Sequence, residues 1–325
     1  MNKRDTLLAL LALGAAPCIA LAQSADRVRV IGYLAASDGP TAVSESFRQG
    51  MRGLGWIEGR NLRIEYRWGA GKAENLAAFA AELVRMRVEV IVGQATPGVA
   101  AAKAATTTIP IVMASVADAE GSGFVANLSR PGGNITGVSM MMPALSGKRL
   151  ELLKEIVPRM ARVAYLAYAP DPAHKLFLKQ TQEAGSQLKV RIQPVLVNRP
   201  DELPGAFTAM TRERADALVV QPLFNSNLGL GPRVAELAIK HRLVSISDGN
   251  GYADSGGLIF YGPDALAIYS RIASYVDRIL KGANPAEMAV EQPRKFQFIV
   301  NMKTTKRLGI KIPQSILLRA DKVIE

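Results

Sequence analysis

At 325 residues the chain exceeds the roughly 250–300 at which a single hydrophobic core stops growing, so two lobes are expected. Apolar residues make up 49% and charged residues 21%, ordinary globular values that exclude a disordered chain. The net charge is +12, but it is dispersed. The densest basic cluster, Lys303, Lys306, Arg307 and Lys311, has no aromatic side chains interleaved, which argues against a nucleic-acid partner.

The first 22 residues read as a secretory signal peptide. Lys3 and Arg4 form a positive start, Leu7 to Ala16 an apolar stretch, and Ala20-Leu21-Ala22 a small-x-small cleavage site, too short for a membrane span. Cleavage after Ala22 removes Lys3, Arg4 and Asp5, leaves a charge of +11, and takes away Cys18, the only cysteine. A lipidated Cys18 is the rival reading, against which Pro17 stands immediately before it. The mature chain then lacks any disulfide or thiol nucleophile, and a periplasmic location is expected.

Val28 to Leu34 reads as a first strand, followed by a polar loop through Ser37. Thr41 to Leu54 has a helical apolar face of Phe47, Met51 and Leu54 and stops at Gly55. Leu62 to Trp68 alternates as a strand. Ala73 to Arg87 is an amphipathic helix with Leu76, Phe79, Leu83 and Met86 inward. Residues 88–118 form a βαβ unit: an apolar strand Val88–Val92, a helix from Thr96-Pro97 to about Thr107, and a second strand from Ile111. Thr96 is expected to cap the helix, with Pro97 in its first turn. Strands apolar on both faces belong to a parallel sheet, and the crevice beyond their carboxyl ends is where such sheets bind ligands. A turn-rich loop, Arg130 to Asn134, and a segment Ile135 to Met142 lead out of the first lobe.

The second half repeats the alternation. Helices are expected over Gly147–Val157, Pro172–Gln187, Leu203–Arg214 and Leu228–Arg242. Strands are expected over Arg162–Ala167, Val190–Val197, Ala217–Val220 and Leu243–Ser247. The fold class is therefore α/β, with two doubly wound parallel-sheet lobes. The tail adds a strand Leu258–Tyr261, a long helix Asp264–Leu280, an extended stretch Pro285–Pro293, a strand Lys295–Asn301, a helix Thr304–Leu308 and a closing segment Pro313–Glu325.

Five blocks resemble the TrpX-type ABC-transporter substrate-binding protein family: FRQGMRGLG (47–55), RPGGNITG (130–137), SGKRLELLKEIVP (146–158), EQPRKFQFIVN (291–301) and LGIKIPQSILLRADKVIE (308–325). The resemblance runs in order over the whole mature chain. It implies a type I periplasmic-binding-protein fold, with two lobes, a three-segment hinge and a ligand cleft between them. On that pattern the N-terminal lobe takes 23–142 plus about 258–288, and the C-terminal lobe takes 143–257 plus about 289–325. The implied partners are a small-molecule ligand, an ABC permease and a separate ATPase subunit; contact with the membrane would come only through the permease.

The residues carry no signature of catalysis. His174 and His241 are the only histidines, and neither a metal motif nor a Walker A sequence occurs, so no metal and no cofactor are expected. Gly121 to Ala126 matches GxGxxA but lies past its strand and reads as a helix-start turn. Asp254-Ser255-Gly256-Gly257 matches a serine-protease nucleophile segment in a chain with no histidine to serve it, and reads as a Gly-rich loop at a lobe crossing. Loop position instead selects a binding set. Ser37, Gln94, Thr96, Ser115 and Asp118 follow first-lobe strands; Tyr168, Asn225, Asp248, Asn250 and Tyr252 follow second-lobe strands. Hydroxyls and the helix N-terminus suit a carboxylate, Asp118 or Asp248 an ammonium, and the tyrosines an apolar or aromatic side chain. The expected function is capture of a small polar ligand, an amino acid and of aromatic type by this set, through hinge closure. The alternatives are a periplasmic hydrolase or racemase using Asp118 and Asp248, and a sensory protein presenting ligand to a receptor. A LacI-type regulator is excluded by the signal peptide and the lack of a DNA-binding headpiece.

Overall fold

A computed structural model of the chain describes residues 28–226 and 228–325; the segment read as a signal peptide, with Cys18, lies outside the described residues. The first sheet is five-stranded and wholly parallel, in the order β2-β1-β3-β4-β5. Its strands are β1 (Arg29–Ala35), β2 (Leu62–Trp68), β3 (Val90–Gln94), β4 (Ile111–Val116) and β5 (Ile135–Ser139). Three helices connect the first four of them: α1 (Ala42–Gly53), α2 (Ala73–Arg85) and α3 (Ala95–Ala105). Every residue of β3 is buried, as expected for a central strand covered on both faces.

The second sheet has seven strands in the order β12-β11-β10-β9-β8-β6-β7. In chain order these are β6 (Arg162–Tyr168), β7 (Arg191–Val197), β8 (Ala217–Val220), β9 (Val244–Ser247), β10 (Ile259–Pro263), β11 (Phe296–Asn301) and β12 (Lys322–Ile324). All pair in parallel except β10 with β11. The helices of this half are α4 (Ser146–Ile156), α5 (His174–Gln187), α6 (Leu203–Arg212), the short α7 (Leu223–Ser226) and α8 (Gly231–Lys240). After them come α9 (Ala265–Leu280), α10 (Met302–Leu308) and α11 (Gln314–Leu317). Each right-handed crossover sends the loops after the strands to one edge, so the carboxyl ends of both sheets can face one another.

The chain crosses between the sheets three times. It leaves the first after β5. It returns with α9, which packs on α1, β4 and β5. The segment around Met288–Glu291 then lies along β5, where Thr136 Oγ1 donates to Met288 O at 2.6 Å and Val138 bridges Glu291. It crosses again before β11. The return to the first lobe was expected from about 258, but Ile259–Pro263 pairs with β9 and β11, so the crossing falls at Asp264. Trp56 fastens the returning helix by donating from Nε1 to Asp277 at 2.9 Å. Trp68 stacks on Tyr66 with ring centroids 5.4 Å apart.

Three local expectations change. Helix α3 begins at Ala95 with Gln94 in the N-cap position, so Thr96 lies in the first turn instead of capping it. The GxGxxA segment forms turns without a helix. The loop carrying Ser255 joins β9 to β10 within the second lobe rather than at a crossing, and Ser255 Oγ lies 2.9 Å from Tyr252 O and 3.0 Å from Asn225 Oδ1.

Candidate functional site

Where the strand ends of the two lobes meet, a small cavity of about 20 Å³ remains, about the room one water needs. Ala95, Thr96, Ser115 and Ala117 line it from the first lobe, Met142 from the first crossing, and Asp171, Phe177, Pro222 and Leu223 from the second lobe. A larger depression of about 940 Å³ runs along the other two crossings beside Arg271, Arg294 and Lys295, away from the strand ends.

The first-lobe wall is held under backbone strain. Among the described residues, eight that are not glycine have positive φ. Arg87, Lys189, Arg214 and Arg242 follow helix ends, where left-handed residues commonly terminate a helix. The other four, Ala70, Ala95, Ser115 and Met141, sit at or just after the cleft-facing ends of β2, β3, β4 and β5. Each such residue costs on the order of 1–3 kcal/mol and persists only where its surroundings fix it. At Ser115 (φ 66°) the β4–β5 register shifts between Met113 and Val116. Thr96 Oγ1 accepts from the Ala117 N–H at 3.4 Å and so ties the start of α3 to the end of β4.

The second-lobe wall carries a carboxylate that the loop-position reading passed over. Asp171 is buried, in the loop between β6 and α5. Its Oδ1 accepts from the Ala173 N–H at 3.1 Å and its Oδ2 from Gln221 Nε2 at 2.5 Å. Gln221 is itself held by the Tyr168 N–H, 2.8 Å from its Oε1. Burial pushes the Asp171 carboxyl up to about 7, against the opposing pull of those two neutral donors. Phe177, Pro222 and Leu223 supply apolar surface beside it. Asp171 lies three residues beyond Tyr168, so the rule that selected the tyrosine also reaches it.

Asp248 was expected to meet a ligand ammonium. It is instead paired with Arg149 of α4, at 2.5 Å from Arg149 Nη1 to Asp248 Oδ2, with side-chain exposures of 1% and 2%. Arg149 Nη2 also donates to Met142 O at 2.9 Å and Ser146 Oγ at 3.0 Å, and its guanidinium lies 5.8 Å from the Phe177 ring centroid. Burial raises the Asp248 carboxyl to about 6, against the opposing pull of Arg149. The pair therefore lies behind the cavity wall and braces the first crossing against the second lobe.

Of the ten residues selected from sequence, Thr96 and Ser115 line the cavity. Gln94 ends β3 fully buried, with the Tyr269 hydroxyl beside its side-chain amide. Ser37 Oγ donates to Gly39 O at 2.9 Å, within its own loop. Asp118 accepts from the Gly121 N–H at 2.9 Å and closes a turn. The Tyr168 hydroxyl donates across the lobes to the Gly71 carbonyl. The Asn225 side-chain amide donates to the Asn250 carbonyl, and Tyr252 OH donates to Ser245 Oγ at 2.9 Å; both contacts lie inside the second lobe. Asp118 and Asp248 are thus engaged separately, and no acid pair of the kind a hydrolase or racemase needs is formed by them. Among the described residues no cluster of three or more His, Cys, Asp or Glu side chains is placed to hold a metal.

Two α/β lobes, three crossings and a cavity at facing strand ends define a type I periplasmic-binding-protein fold. Residues 28–324 match the family described as ABC transporter substrate binding protein, and the chain belongs to that family. It is 23% identical over 266 residues to a tyrosine-binding protein of Clostridioides difficile (strain R20291), covering 82% of this chain and 76% of that one. A Streptococcus pneumonia ABC domain in complex with L-Trp is 25% identical, with a TM-score of 0.83 over 91% of this chain and 99% of that one. A ligand-free, open substrate-binding protein with adhesive properties from Clostridium difficile is 21% identical, with a TM-score of 0.61 over 92% and 99%.

Proposed function

We propose that this protein is the extracytoplasmic solute-binding component of an ABC importer and that it captures an amino acid, of aromatic or large apolar type, between its lobes. The observation that carries the reading is the makeup of the cavity wall. Two hydroxyls and the start of α3 stand on one lobe, a carboxylate on the other, and Phe177, Leu223 and Pro222 beside it. Neutral donors at a helix start suit a ligand carboxylate, a carboxylate suits an ammonium, and the apolar residues suit a side chain. The family membership and the tyrosine- and tryptophan-binding relatives support the same class.

The cavity is far too small for an amino acid, so entry requires the lobes to part and capture requires them to close on the ligand. The nearer likeness to the L-Trp complex than to the open protein supports a closed arrangement here. The closed form would dock on a permease served by a separate ATPase. The charged, apolar and small-x-small order of the first 22 residues supports export to the periplasm, with cleavage after Ala22. Among the described residues no helix is long and apolar enough to cross a membrane. A binding role is favoured over catalysis because the cavity brings together one carboxylate and two hydroxyls, without a nucleophile–base pair.

Residues 23–325 titrated with the twenty L-amino acids in a thermal-shift screen test the proposal. A ligand at about 100 times its dissociation constant adds about 2.7 kcal/mol, a readily measured rise. Stabilisation by tyrosine, tryptophan or another large apolar amino acid is expected. A screen in which no amino acid raises the midpoint overturns the reading, and conversion of a bound ligand, followed by mass spectrometry, would replace capture with catalysis.

A further inference from the structure

We propose that Asp171 is the ammonium anchor of the cleft and that it takes up the ligand by releasing a proton, so that capture is proton-linked. This rests on the amino-acid reading above and deepens it. The geometry begins with the division of charge in the second lobe. Two carboxylates are buried near the cavity, and one cation, Arg149, is committed to Asp248 at 2.5 Å and to the first crossing through Met142 O. Asp171 receives only the Ala173 N–H and the Gln221 amide, both neutral. A carboxylate offers about four acceptor sites, so two bonds leave room for an ammonium on the cavity side.

The other groups packed around it do not supply that charge. On β6 the Tyr165 hydroxyl is buried, and burial first, then repulsion from Asp171, holds it neutral, so it brings no positive charge. On α5 the His174 Nδ1 lies 2.7 Å from the backbone carbonyl of Asp171, away from its carboxyl oxygens. The first-lobe wall opposite presents Thr96 and Ser115, both uncharged, and Asp118 is turned to the Gly121 N–H. A carboxyl enclosed without a cation favours its neutral form, which burial places at about 7 for this group. A ligand ammonium supplies the missing charge, favours the carboxylate, and sends the proton to solvent. In its protonated form Asp171 can still donate a hydrogen bond, but it gains no charge pairing with an ammonium. Affinity is therefore full above pH about 7 and lost as the pH falls below it.

The test uses the tightest-binding L-amino acid from the screen and its desamino analogue, titrated calorimetrically into the mature protein. Buffers of different ionisation enthalpy then report the protons released. Near pH 6 release approaching one proton per ligand is expected, falling toward zero by pH 8. The dissociation constant should rise about tenfold per pH unit below 7 and flatten above it. Asp171→Asn should weaken amino-acid binding at pH 8 by about 100-fold or more and abolish both the proton release and the pH slope. The empty variant should still unfold cooperatively, with a midpoint lowered modestly, because the Asn Nδ2 then faces the Gln221 amide, another donor. The desamino analogue should bind the parent more tightly at pH 5.5 than at pH 8, the reverse order. Amino-acid binding with no proton release and an unchanged Asp171→Asn affinity overturns this inference and leaves the capture reading intact. Failure of every amino acid to bind overturns both.

Discussion

At the scale of single residues, the buried Arg149–Asp248 pair shows how a charge near a cleft can be committed to another side chain. Two side chains 99 positions apart meet at 2.5 Å with almost no exposure. Removing one partner leaves an uncompensated buried charge, which costs about 3–5 kcal/mol, whereas replacing both with apolar groups of similar volume is often neutral. Asp248→Asn should therefore lower the unfolding free energy from urea titration by that amount, while the double change Arg149→Met with Asp248→Leu recovers most of it. A near-normal midpoint for Asp248→Asn would remove the pair from the stability of the lobe. The sequence pointed to Asp248 because it follows a strand, and the strand does end there. Nothing in local spacing told that Arg149, in a helix, would turn inward to meet it. Asp171 had the same loop signal, and its lack of a cation became legible only once burial and partners were known.

At the scale of elements, the alternation of apolar strands with amphipathic helices was legible because both periods depend on local sequence alone. Helix α2, for instance, starts at Ala73 as expected and ends two residues early, at Arg85. The errors concern partners. Strand β10 has a strand's composition whichever sheet receives it, and only its pairing with β9 and β11 assigns it to the second lobe. The start of α3 falls at Ala95, whose left-handed φ sequence pattern does not announce. A similar tertiary constraint fixes Gly137 in β5. Its φ is 130°, and an added Cβ would stand 2.4 Å from Met113 O and 2.6 Å from Met113 N. Neither β4 nor β5 can yield without disturbing the irregular pairing that presents Ser115. Gly137→Ala should destabilise the first lobe by about 2–3 kcal/mol, from strain and overpacking together. Calorimetric melting of the variant would check this, and a melting point within a degree of the parent would show that the strand has room to shift.

At the scale of the whole molecule, the lobes touch at the cleft mouth as well as through the crossings. Tyr168, at the end of β6, donates its hydroxyl to the carbonyl of Gly71 in the loop after β2. Ala70 and Gly71 both have positive φ, 50° and 72°, which shapes that turn. The tyrosine ring is fixed edge-on to Phe224 at 6.4 Å, and Leu228 packs against apolar clusters of both lobes. On the proposed hinge closure, this contact, which needs no ligand, weights the balance between open and closed forms in the empty protein. A hydrogen bond of this kind contributes about 0.5–1.5 kcal/mol net, because water replaces it on opening. Tyr168→Phe should then shift that balance toward the open form by roughly 2–13-fold. Ligand affinity falls in proportion to the loss of the competent closed state, so the dissociation constant should rise by up to the same factor, with faster release. Small-angle scattering of the empty protein, read beside calorimetry, separates this role from direct ligand contact. A larger radius of gyration with a modest loss of affinity fits an interlobe clasp. An unchanged radius with a loss beyond 100-fold would return Tyr168 to the ligand-contacting set in which its position after β6 first placed it.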